Sequence, residues 1–218
     1  MKVSVESEAF IIGSSRIKQW AIATMNISFP IELNLDSCDL SDEQFFQLCQ
    51  CNEVWQFERS ATNQLIIMPL ADGETSNRNA DVTYQLYIWA QKTKSAGITF
   101  GSSTGFTLPN RAVRSPDAAW IPIEKWQSLT QHEREKFPPL SLDFVVELLA
   151  VNEKLDVTQA KLREYIDTGT CLGWLINRKT QQVEVYRPNQ EVEILNSPAT
   201  LSGEDVLVGF ELDLSTIW

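Results

Sequence analysis

The sequence predicts a single α/β domain in which a mixed β-sheet is flanked by helices. Along the chain, the hydrophobic pattern indicates a helix, strands, a second helix, more strands, a third helix and a final strand pair, an order typical of such layered folds. With 218 residues, 43% of them hydrophobic, and seven tryptophans, the chain is long enough to bury a substantial core. No internal repeat or low-complexity linker in the sequence indicates a second domain.

The first elements are predicted from capping and turn signals. Residues 1–30 show no clear period and are expected to be an extension of uncertain order, with Met25 as an alternative start, so the domain is placed at 31–218. Ser41 followed by Gln44 is a capping box, which predicts a short helix. The stretch WQFERSATNQLIIMPL is then predicted to form two strands around a polar turn.

A second helix is expected in the stretch NADVTYQLYIWAQKTKSAG. Gly73, Asn77 and Asn79 are predicted to break the pattern before it, and Gly97 is predicted to end it. Short β-rich runs at 98–109 and 114–123 and a loop at 124–141 are expected after this helix. A strand is then predicted in SLDFVVELLAV, followed by a helix at 153–168 that Asn152 opens and Gly169 closes. The last predicted elements are a strand pair in LGWLIN and QVEVYRP.

The charge distribution bears on the kind of partner. A net charge of −11 argues against nucleic acid at first sight, because phosphate binding normally needs a positive surface. The acids are concentrated on the flanks: residues 31–81 hold ten acids and two bases, and residues 188–218 hold six acids and no base. Residues 82–187 hold thirteen bases and eleven acids. Electrostatics therefore weakens a DNA hypothesis without excluding it.

Cysteine and histidine usage disfavours two other classes of site. The four cysteines, Cys38, Cys49, Cys51 and Cys171, include one C-x-C, and His132 is the only histidine, which leaves few soft ligands for zinc. Reduced thiols are expected. A single histidine also disfavours a Ser-His-Asp or Cys-His mechanism, in which it would have to be the base.

The sequence is also that expected of a soluble cytoplasmic protein. No apolar run approaches the ~20 residues needed to span a bilayer. The N-terminal stretch carries Glu6 and Glu8 where a secretory signal needs an uninterrupted apolar segment.

One carboxylate, Glu147, lies inside the apolar run of the strand predicted in SLDFVVELLAV. Removing a carboxylate from water is costly unless a partner stabilises it. At about 100° per residue, the next helix has Lys161 just beside its core stripe, so the ammonium can reach the end of the neighbouring strand. The core stripe is predicted to contain Leu155, Thr158, Gln159, Leu162, Tyr165 and Ile166.

A second carboxylate is predicted near the first. Asp117 follows Pro116 where the chain becomes apolar, so its side chain should lie at the beginning of a strand. Two carboxylates on neighbouring strands with a lysine nearby suit Mg²⁺, and such a site suits phosphodiester hydrolysis. From the residues alone, a buried ion pair between Glu147 and Lys161 that only joins strand to helix is an equal alternative.

Several motifs in order resemble one family. They are R-S-P-D-A-A-W, F-V-V-E-L-L and Q-A-K-L-R-E-Y-I-D-T-G, followed by L-G-W-L-I-N and V-E-V-Y-R-P. Over residues 40–215 the chain resembles the Uma2 family, a branch of the PD-(D/E)xK superfamily of restriction-endonuclease-like nucleases. The recurrence of the motifs in order makes this resemblance specific.

The resemblance implies roles for four positions. Asp117 matches the motif aspartate, and Glu147 matches the second metal-binding carboxylate. Leu149 occupies the position where the superfamily usually has its lysine. In this branch the following helix supplies the lysine, and Lys161 matches that position.

Two further residues match the family, and the sequence departs from the family at two places. Tyr165 lies one turn after Lys161, and Glu58 resembles an acidic residue near the N-terminal strands of the family. The family often has Ser-Pro-Ser after the motif glutamate, whereas residues 149–154 read LAVNEK, and Asn79 lies near a position where the family has histidine. The altered loop motivates a second hypothesis, a catalytically inactive nuclease-like domain that binds protein or nucleic acid.

The resemblance therefore implies a restriction-endonuclease-like fold and a DNA endonuclease dependent on Mg²⁺ or Mn²⁺. A homodimer is expected, because cutting both strands of a duplex takes two sites. No helix carries the Arg, Asn and Gln pattern of a recognition helix, so the sequence predicts no recognition site.

Overall fold

The computed structural model describes residues 30–35, 37–38, 40–93, 97–150 and 153–218. The expectations for residues 1–29, including the alternative start at Met25, and for Asn152 lie outside the described residues. Within these ranges, no helix is both long enough and apolar enough to cross a membrane.

The described residues form an α/β structure, as predicted. The helices are α1 (Asp42–Gln50), α2 (Gly73–Thr93), α3 (Ile123–Ser128), α4 (Gln131–Arg134) and α5 (Leu155–Asp167). The strands are β1 (Ile31–Asn34), β2 (Trp55–Arg59), β3 (Gln64–Pro69), β4 (Gly97–Gly101), β5 (Phe106–Thr107), β6 (Val113–Arg114), β7 (Ala118–Pro122), β8 (Phe144–Leu148), β9 (Leu172–Asn177), β10 (Gln182–Tyr186), β11 (Glu193–Asn196), β12 (Thr200–Ser202) and β13 (Glu211–Asp213).

The central sheet is mixed. Its order is β11-β10-β9-β8-β7-β4, in which β8 and β9 are parallel and the other neighbours are antiparallel. The α5 helix connects the parallel pair, as a parallel crossover requires. A second, antiparallel sheet has the order β1-β3-β2-β6-β5, and β12 pairs with β13.

Each face of the central sheet is covered by a different helix. On one face, α2 and the C-terminal segment pack against alternate residues of β8 and β9; this core includes Leu86, Phe144, Val146, Trp174 and Phe210. On the other face, α5 packs against the intervening residues; this core includes Ile121, Val145, Leu162, Tyr165 and Leu175. Glu147 points to the α5 side, because it shares a face with Val145.

The predicted capping box at Ser41 and Gln44 is confirmed, with both reciprocal hydrogen bonds formed at the start of α1. The predicted break before the second helix is wrong, since α2 begins at Gly73 and contains Asn77 and Asn79. The Asp72 carboxylate accepts from the backbone N–H and hydroxyl of Thr75, so the cap lies before the asparagines. Tertiary packing of this helix outweighs the weak propensity of asparagine.

Three further boundaries differ from prediction. The α2 helix ends at Thr93, and Gly97 is the first residue of β4. The expected loop at 124–141 contains α3 and α4, the latter begun by a Thr130–Glu133 capping box. The third helix begins at Leu155 rather than 153, and Gly169, with φ of +110°, follows its end as predicted.

The predicted core stripe of α5 is confirmed in its centre. Thr158, Leu162 and Tyr165 are buried. Leu155, in the first turn, is 36% exposed, so the stripe does not extend to the start of the helix.

Candidate active site

The two predicted carboxylates lie beside each other, Asp117 directly before β7 and Glu147 within β8. In the antiparallel pairing of β7 with β8, Ala118 faces Val146, and continuing this register by one residue brings Asp117 opposite Glu147. The backbone N–H of Leu148 donates to Asp117 Oδ2 at 2.8 Å. The Asp117 carboxylate therefore lies beside the peptide bond that follows Glu147.

Lys161 joins these strands from α5. Its Nζ lies 2.8 Å from Glu147 Oε1 and 2.8 Å from Glu58 Oε1, and it donates to the carbonyl oxygen of Ser115 at 3.1 Å. An ammonium group has three N–H donors, so these three acceptors satisfy it completely. The structure thus brings Glu58, Glu147 and Lys161 together.

The close packing of α5 on the sheet depends on a glycine in β9. A Cβ on Gly173 would lie 2.8 Å from Leu162 Cδ1, so any larger residue would meet the helix. Lys161 precedes this contact residue directly. The absence of a Cβ at Gly173 therefore allows Lys161 to come this near to β8.

Tyr165 reaches the same carboxylate from one helical turn later. It is fully buried, and its hydroxyl donates to Glu147 Oε1 at 3.1 Å. Both α5 groups approach the same oxygen, and among the described residues no hydrogen bond is made to Glu147 Oε2. One carboxylate oxygen is therefore held by the protein while the other has no protein donor in the described part of the chain.

A second layer of charges supports Glu58. Arg114 Nη1 lies 3.0 Å from Glu58 Oε2, and Arg114 Nε lies 2.5 Å from Glu164 Oε2. The backbone N–H of Ser115 donates to Glu58 Oε1 at 2.9 Å. The sequence interpretation missed Arg114 and Glu164, although Arg114 lies three residues before Asp117 and Glu164 lies three residues after Lys161.

Asn79 of α2 is the partner of the first carboxylate. Its Nδ2 donates to Asp117 Oδ1 at 2.6 Å, and the residue is only 6% exposed. Its amide oxygen is buried and has no hydrogen-bond partner within the described ranges. The residue predicted to break a helix is therefore part of the site.

Burial acts strongly on both carboxylates. Burial raises the pKa of Glu147 to about 8. The ammonium of Lys161 acts against this increase, and the negative charges of Asp117 and Glu58 add to it. Burial also raises the pKa of Asp117 to about 6, against the effect of the hydrogen bond from Leu148. Both groups hold protons more tightly than free carboxylic acids do.

By contrast, Glu58 and Lys161 are both stabilised in their charged forms. Burial would raise the pKa of Glu58, but Lys161 and Arg114 outweigh it and hold that pKa below its usual value. Burial would lower the pKa of Lys161, but Glu147 and Glu58 hold it well above its usual value. Glu58 and Lys161 therefore form the permanently charged pair of the site.

The site holds more negative than positive charge. Its charged groups, called here the acidic cluster, are Glu58, Arg114, Asp117, Glu147, Lys161 and Glu164. Four carboxylates and two bases leave a net charge of −2 when all are ionised. Burial raises the pKa values of Glu147 and Asp117, and the positive charge of Lys161 does not offset it.

The donor set fits a hard divalent cation. Within the described residues there is no group of three His, Cys, Asp or Glu side chains that could hold a metal. Mg²⁺, however, is commonly held through one or two carboxylates and keeps several waters. Asp117 and Glu147 supply two such carboxylates, and a charge of +2 would neutralise the acidic cluster.

The mixed sheet flanked by helices is the predicted fold class, that of a restriction-endonuclease-like nuclease. The chain belongs to the Uma2 family, whose model is described as "putative restriction endonuclease" and matches residues 42–215. The predicted family resemblance is thereby confirmed.

A solved structure shares this fold. The chain is similar to the crystal structure of a putative nuclease belonging to DUF820 from Anabaena variabilis ATCC 29413, with a TM-score of 0.62 and 18% sequence identity. The match covers 74% of this chain and 88% of that one, and at this identity it shows the fold alone. Among curated proteins, no sequence matches this chain.

Proposed function

We propose that this protein is a metal-dependent DNA endonuclease in which Asp117 and Glu147 hold the cation and Lys161 stabilises charge on the phosphate. The observation that carries the proposal is that Asp117 and Glu147 lie side by side in the acidic cluster, where four carboxylates face only two bases. Burying uncompensated charge is costly, so a site of this kind favours a positive ligand. Membership in the Uma2 family supports a nuclease as the class of enzyme.

The residues would divide the chemistry between them. A cation bound to Asp117 and Glu147 would polarise the phosphate and lower the pKa of a bound water. Lys161 already donates all its three N–H groups to protein acceptors. If Lys161 released Glu147, one of its N–H groups could donate to the attacking water or to a phosphate oxygen. Glu58 would continue to hold the ammonium in place.

Two other residues act as positioning residues. Tyr165 donates to the same oxygen of Glu147 that Lys161 approaches, so it fixes the carboxylate with its other oxygen away from α5. Arg114 bridges Glu58 and Glu164 and so links the second sheet to α5. Neither needs to touch the substrate in order to affect the reaction.

The proposed substrate is DNA, and the proposed assembly is a homodimer. The family description supports a nuclease of restriction type, and cutting both strands of a duplex takes two sites. The excess of acids lies on the flanks of the chain, whereas residues 82–187 hold thirteen bases. Light scattering of the purified protein, with and without a DNA duplex, tests the oligomeric state.

Cleavage of plasmid and linear duplex DNA in Mg²⁺ or Mn²⁺ tests the proposed reaction. Glu147→Gln should lower the cleavage rate by about 10³-fold or more, and Lys161→Met by about 10²- to 10³-fold. Glu184→Gln is the matched control, because Glu184 is also a buried carboxylate on the α5 face of the sheet, bonded to Gln159 and Tyr186 outside the acidic cluster. Equal cleavage by all three variants would reject the proposal.

One observation favours the second candidate, a nuclease-like domain that binds without cleaving. The ammonium of Lys161 is fully satisfied by protein acceptors, which is what a purely structural ion pair requires. A well-folded wild-type protein that binds DNA but cleaves no substrate in any divalent cation would support this candidate.

A further inference from the structure

A groove with a volume of about 500 Å³ runs along α2 beside the candidate active site. One wall is a side of α2 between residues 76 and 87, and the other is the end of β4 with the turn that follows, between residues 99 and 103. We call it the tyrosine groove. Apart from Asn79, its walls belong neither to the motifs that carry the family resemblance nor to the acidic cluster.

The helical wall of the groove presents two tyrosines to solvent. Asn79, Thr83 and Tyr87 follow one another at four-residue spacing, so they form one stripe along α2. Tyr84 lies three residues before Tyr87 and flanks that stripe. The two rings are 61% and 51% exposed, so they contribute little to the core.

Two residues that line the groove have a buried polar atom without a partner in the described part of the chain. Asn79 is more than nine-tenths buried, and its Oδ1 forms no hydrogen bond in the part of the chain that is described. Thr99 Oγ1, on the opposite wall, is likewise buried without a partner there. Such atoms are rare in folded proteins, because an unpaired buried polar group is destabilising. Two such atoms beside one groove favour a ligand with hydrogen-bonding edges.

The groove connects directly to the proposed chemistry. Asn79 lines it and also donates to Asp117 Oδ1 at 2.6 Å. A molecule in the groove would therefore contact the residue that positions the first carboxylate. This contact makes the groove a continuation of the candidate active site.

The chemistry of the lining indicates the kind of ligand. Among the described residues that line the groove there is no charged side chain; they are tyrosine, serine, threonine, asparagine, alanine and glycine. Phosphate groups would favour basic side chains, whereas a nucleobase stacks on exposed aromatic rings and bonds to amides and hydroxyls along its edges. Within a duplex, however, base pairing and stacking hide these faces and edges.

We propose that the tyrosine groove holds an unpaired nucleoside of the substrate strand, with its base stacked on Tyr84 or Tyr87 and its edge bonded to Asn79 and Thr99. This inference rests on the proposed nuclease function and narrows it. The substrate is a nucleic acid with at least one unpaired nucleotide beside the scissile bond, such as a single strand, a loop or an extruded base.

Binding without cleavage tests the groove separately from the reaction. Fluorescence anisotropy in EDTA compares a labelled single-stranded oligonucleotide with the duplex of the same sequence. Wild-type protein should bind the single strand at least about tenfold more tightly, and the double variant Tyr84→Ala/Tyr87→Ala should lose about tenfold in affinity for it. The matched control, Tyr84→Phe/Tyr87→Phe, keeps both rings and should bind within about twofold of wild type.

A substitution on the opposite wall provides a second measurement. Thr99→Val keeps the shape of the side chain and removes the unpaired hydroxyl. If the hydroxyl serves a ligand, the variant should melt at the same or a higher temperature than wild type but bind the single strand about threefold or more weakly. Unchanged affinity in both Thr99→Val and the double alanine variant would overturn the inference.

The outcomes also separate the groove from the nuclease proposal. Mg²⁺-dependent cleavage by wild type, with cleavage and affinity unchanged in the double alanine variant, would reject the groove and leave the nuclease standing. Binding that depends on the two rings, without cleavage in any divalent cation, would reject the nuclease and support the groove as a nucleoside site. Tight binding of duplex with no preference for the single strand would overturn the inference as well.

Discussion

Lys161 Nζ lies 2.8 Å from Glu147 Oε1, although fourteen residues separate the two along the chain. Leu149, two residues after Glu147, carries no charge and packs against the core beneath α5. The crossover helix supplies the ammonium instead. The positive charge therefore reaches the carboxylate from a different element of the fold.

Metal binding is expected to release a proton. Because burial raises the pKa of Glu147 to about 8, this carboxyl is mostly protonated at pH 7 in the metal-free protein. A cation needs the ionised form, so affinity for Mn²⁺ should rise about tenfold per pH unit between about pH 6 and pH 8 and level off above pH 8. Isothermal titration calorimetry at pH 7 in buffers of different ionisation enthalpy would measure the released proton.

Matched variants identify the source of that proton. Glu147→Gln should abolish both binding and proton release, whereas Glu184→Gln should retain both, because Glu184 is held by Gln159 and Tyr186 away from the site. Absence of Mn²⁺ binding by the wild-type protein at pH 7 and at pH 9 would contradict the metal site and favour the domain that binds without cleaving.

The stability of the metal-free protein should fall as pH rises. Glu147 has an ordinary pKa of 4.5 in the unfolded chain and a pKa of about 8 in the folded state. Between these two pH values, the folded state keeps a proton on Glu147 that the unfolded chain has released. In this window the folded state binds more protons, so the free energy of unfolding decreases by up to about 1.4 kcal/mol per pH unit for this group. Urea unfolding in EDTA from pH 6.5 to 8.5 would measure the slope, since Asp117, with a pKa of about 6, is largely ionised there.

Two comparisons assign this slope to the acidic cluster. Glu147→Gln should flatten it, because glutamine does not titrate. Saturating Mg²⁺ should stabilise the protein most at the upper end of the range, since the cation replaces the proton. A wild-type slope that Glu147→Gln leaves unchanged would show that another group is responsible.

Much of this site could be predicted because its signals are local. Glu147 is conspicuous as the single charge in an apolar strand, and the helical angle of Lys161 directs its side chain to the end of that strand. Pro116 before Asp117 places the second carboxylate at a strand start. The mixed sheet also followed from the order of the elements, and it is confirmed.

The rest of the site depends on long-range pairing that no local pattern contains. Glu58 meets Arg114 because β2 pairs with β6, where Arg59 faces Val113 across more than fifty residues of chain. Asn79 was interpreted as a helix breaker because asparagine has low helix propensity, yet its contact with Asp117 forms only after α2 packs on the sheet. Partners of this kind follow from the assembled fold and not from spacing.

Glu58 should be essential to the stability of the acidic cluster. It is 3% exposed and accepts bonds from Lys161, from Arg114 and from the backbone N–H of Ser115. Glu58→Gln would leave two buried cations with one carboxylate fewer, so the free energy of unfolding should fall by about 3 kcal/mol. Chemical denaturation at pH 7 measures this.

An exposed carboxylate of the same region is the control for Glu58. Glu43→Gln removes a solvent-exposed partner of Lys136 and should leave the stability nearly unchanged. If Glu58→Gln were equally mild, Glu58 would not be a required partner of Lys161. If the protein cleaves DNA as proposed, Glu58→Gln should also lower the cleavage rate even where the protein remains folded, because Lys161 loses one of the two carboxylates that hold it.

The distance between α5 and the sheet should control activity through Gly173. A Cβ at this position would lie 2.8 Å from Leu162 Cδ1 and 3.4 Å from Val145 Cγ2, and Leu162 is fully buried, so it has little room to move. Gly173→Ala should therefore destabilise the protein by about 1–3 kcal/mol and displace Lys161, the neighbour of Leu162, from Glu147. Thermal unfolding and the cleavage rate at a temperature where the variant remains folded would measure the two effects.

Gly73, at the start of α2, provides the control for the added methyl group. No heavy atom lies within 4 Å of the position that a Cβ would take there, so Gly73→Ala should be neutral or slightly stabilising. Both effects of Gly173→Ala should therefore exceed those of Gly73→Ala, because only the methyl group at 173 meets a packed helix. A Gly173→Ala variant with wild-type stability and rate would show that the helix can shift without moving its lysine away from the carboxylates.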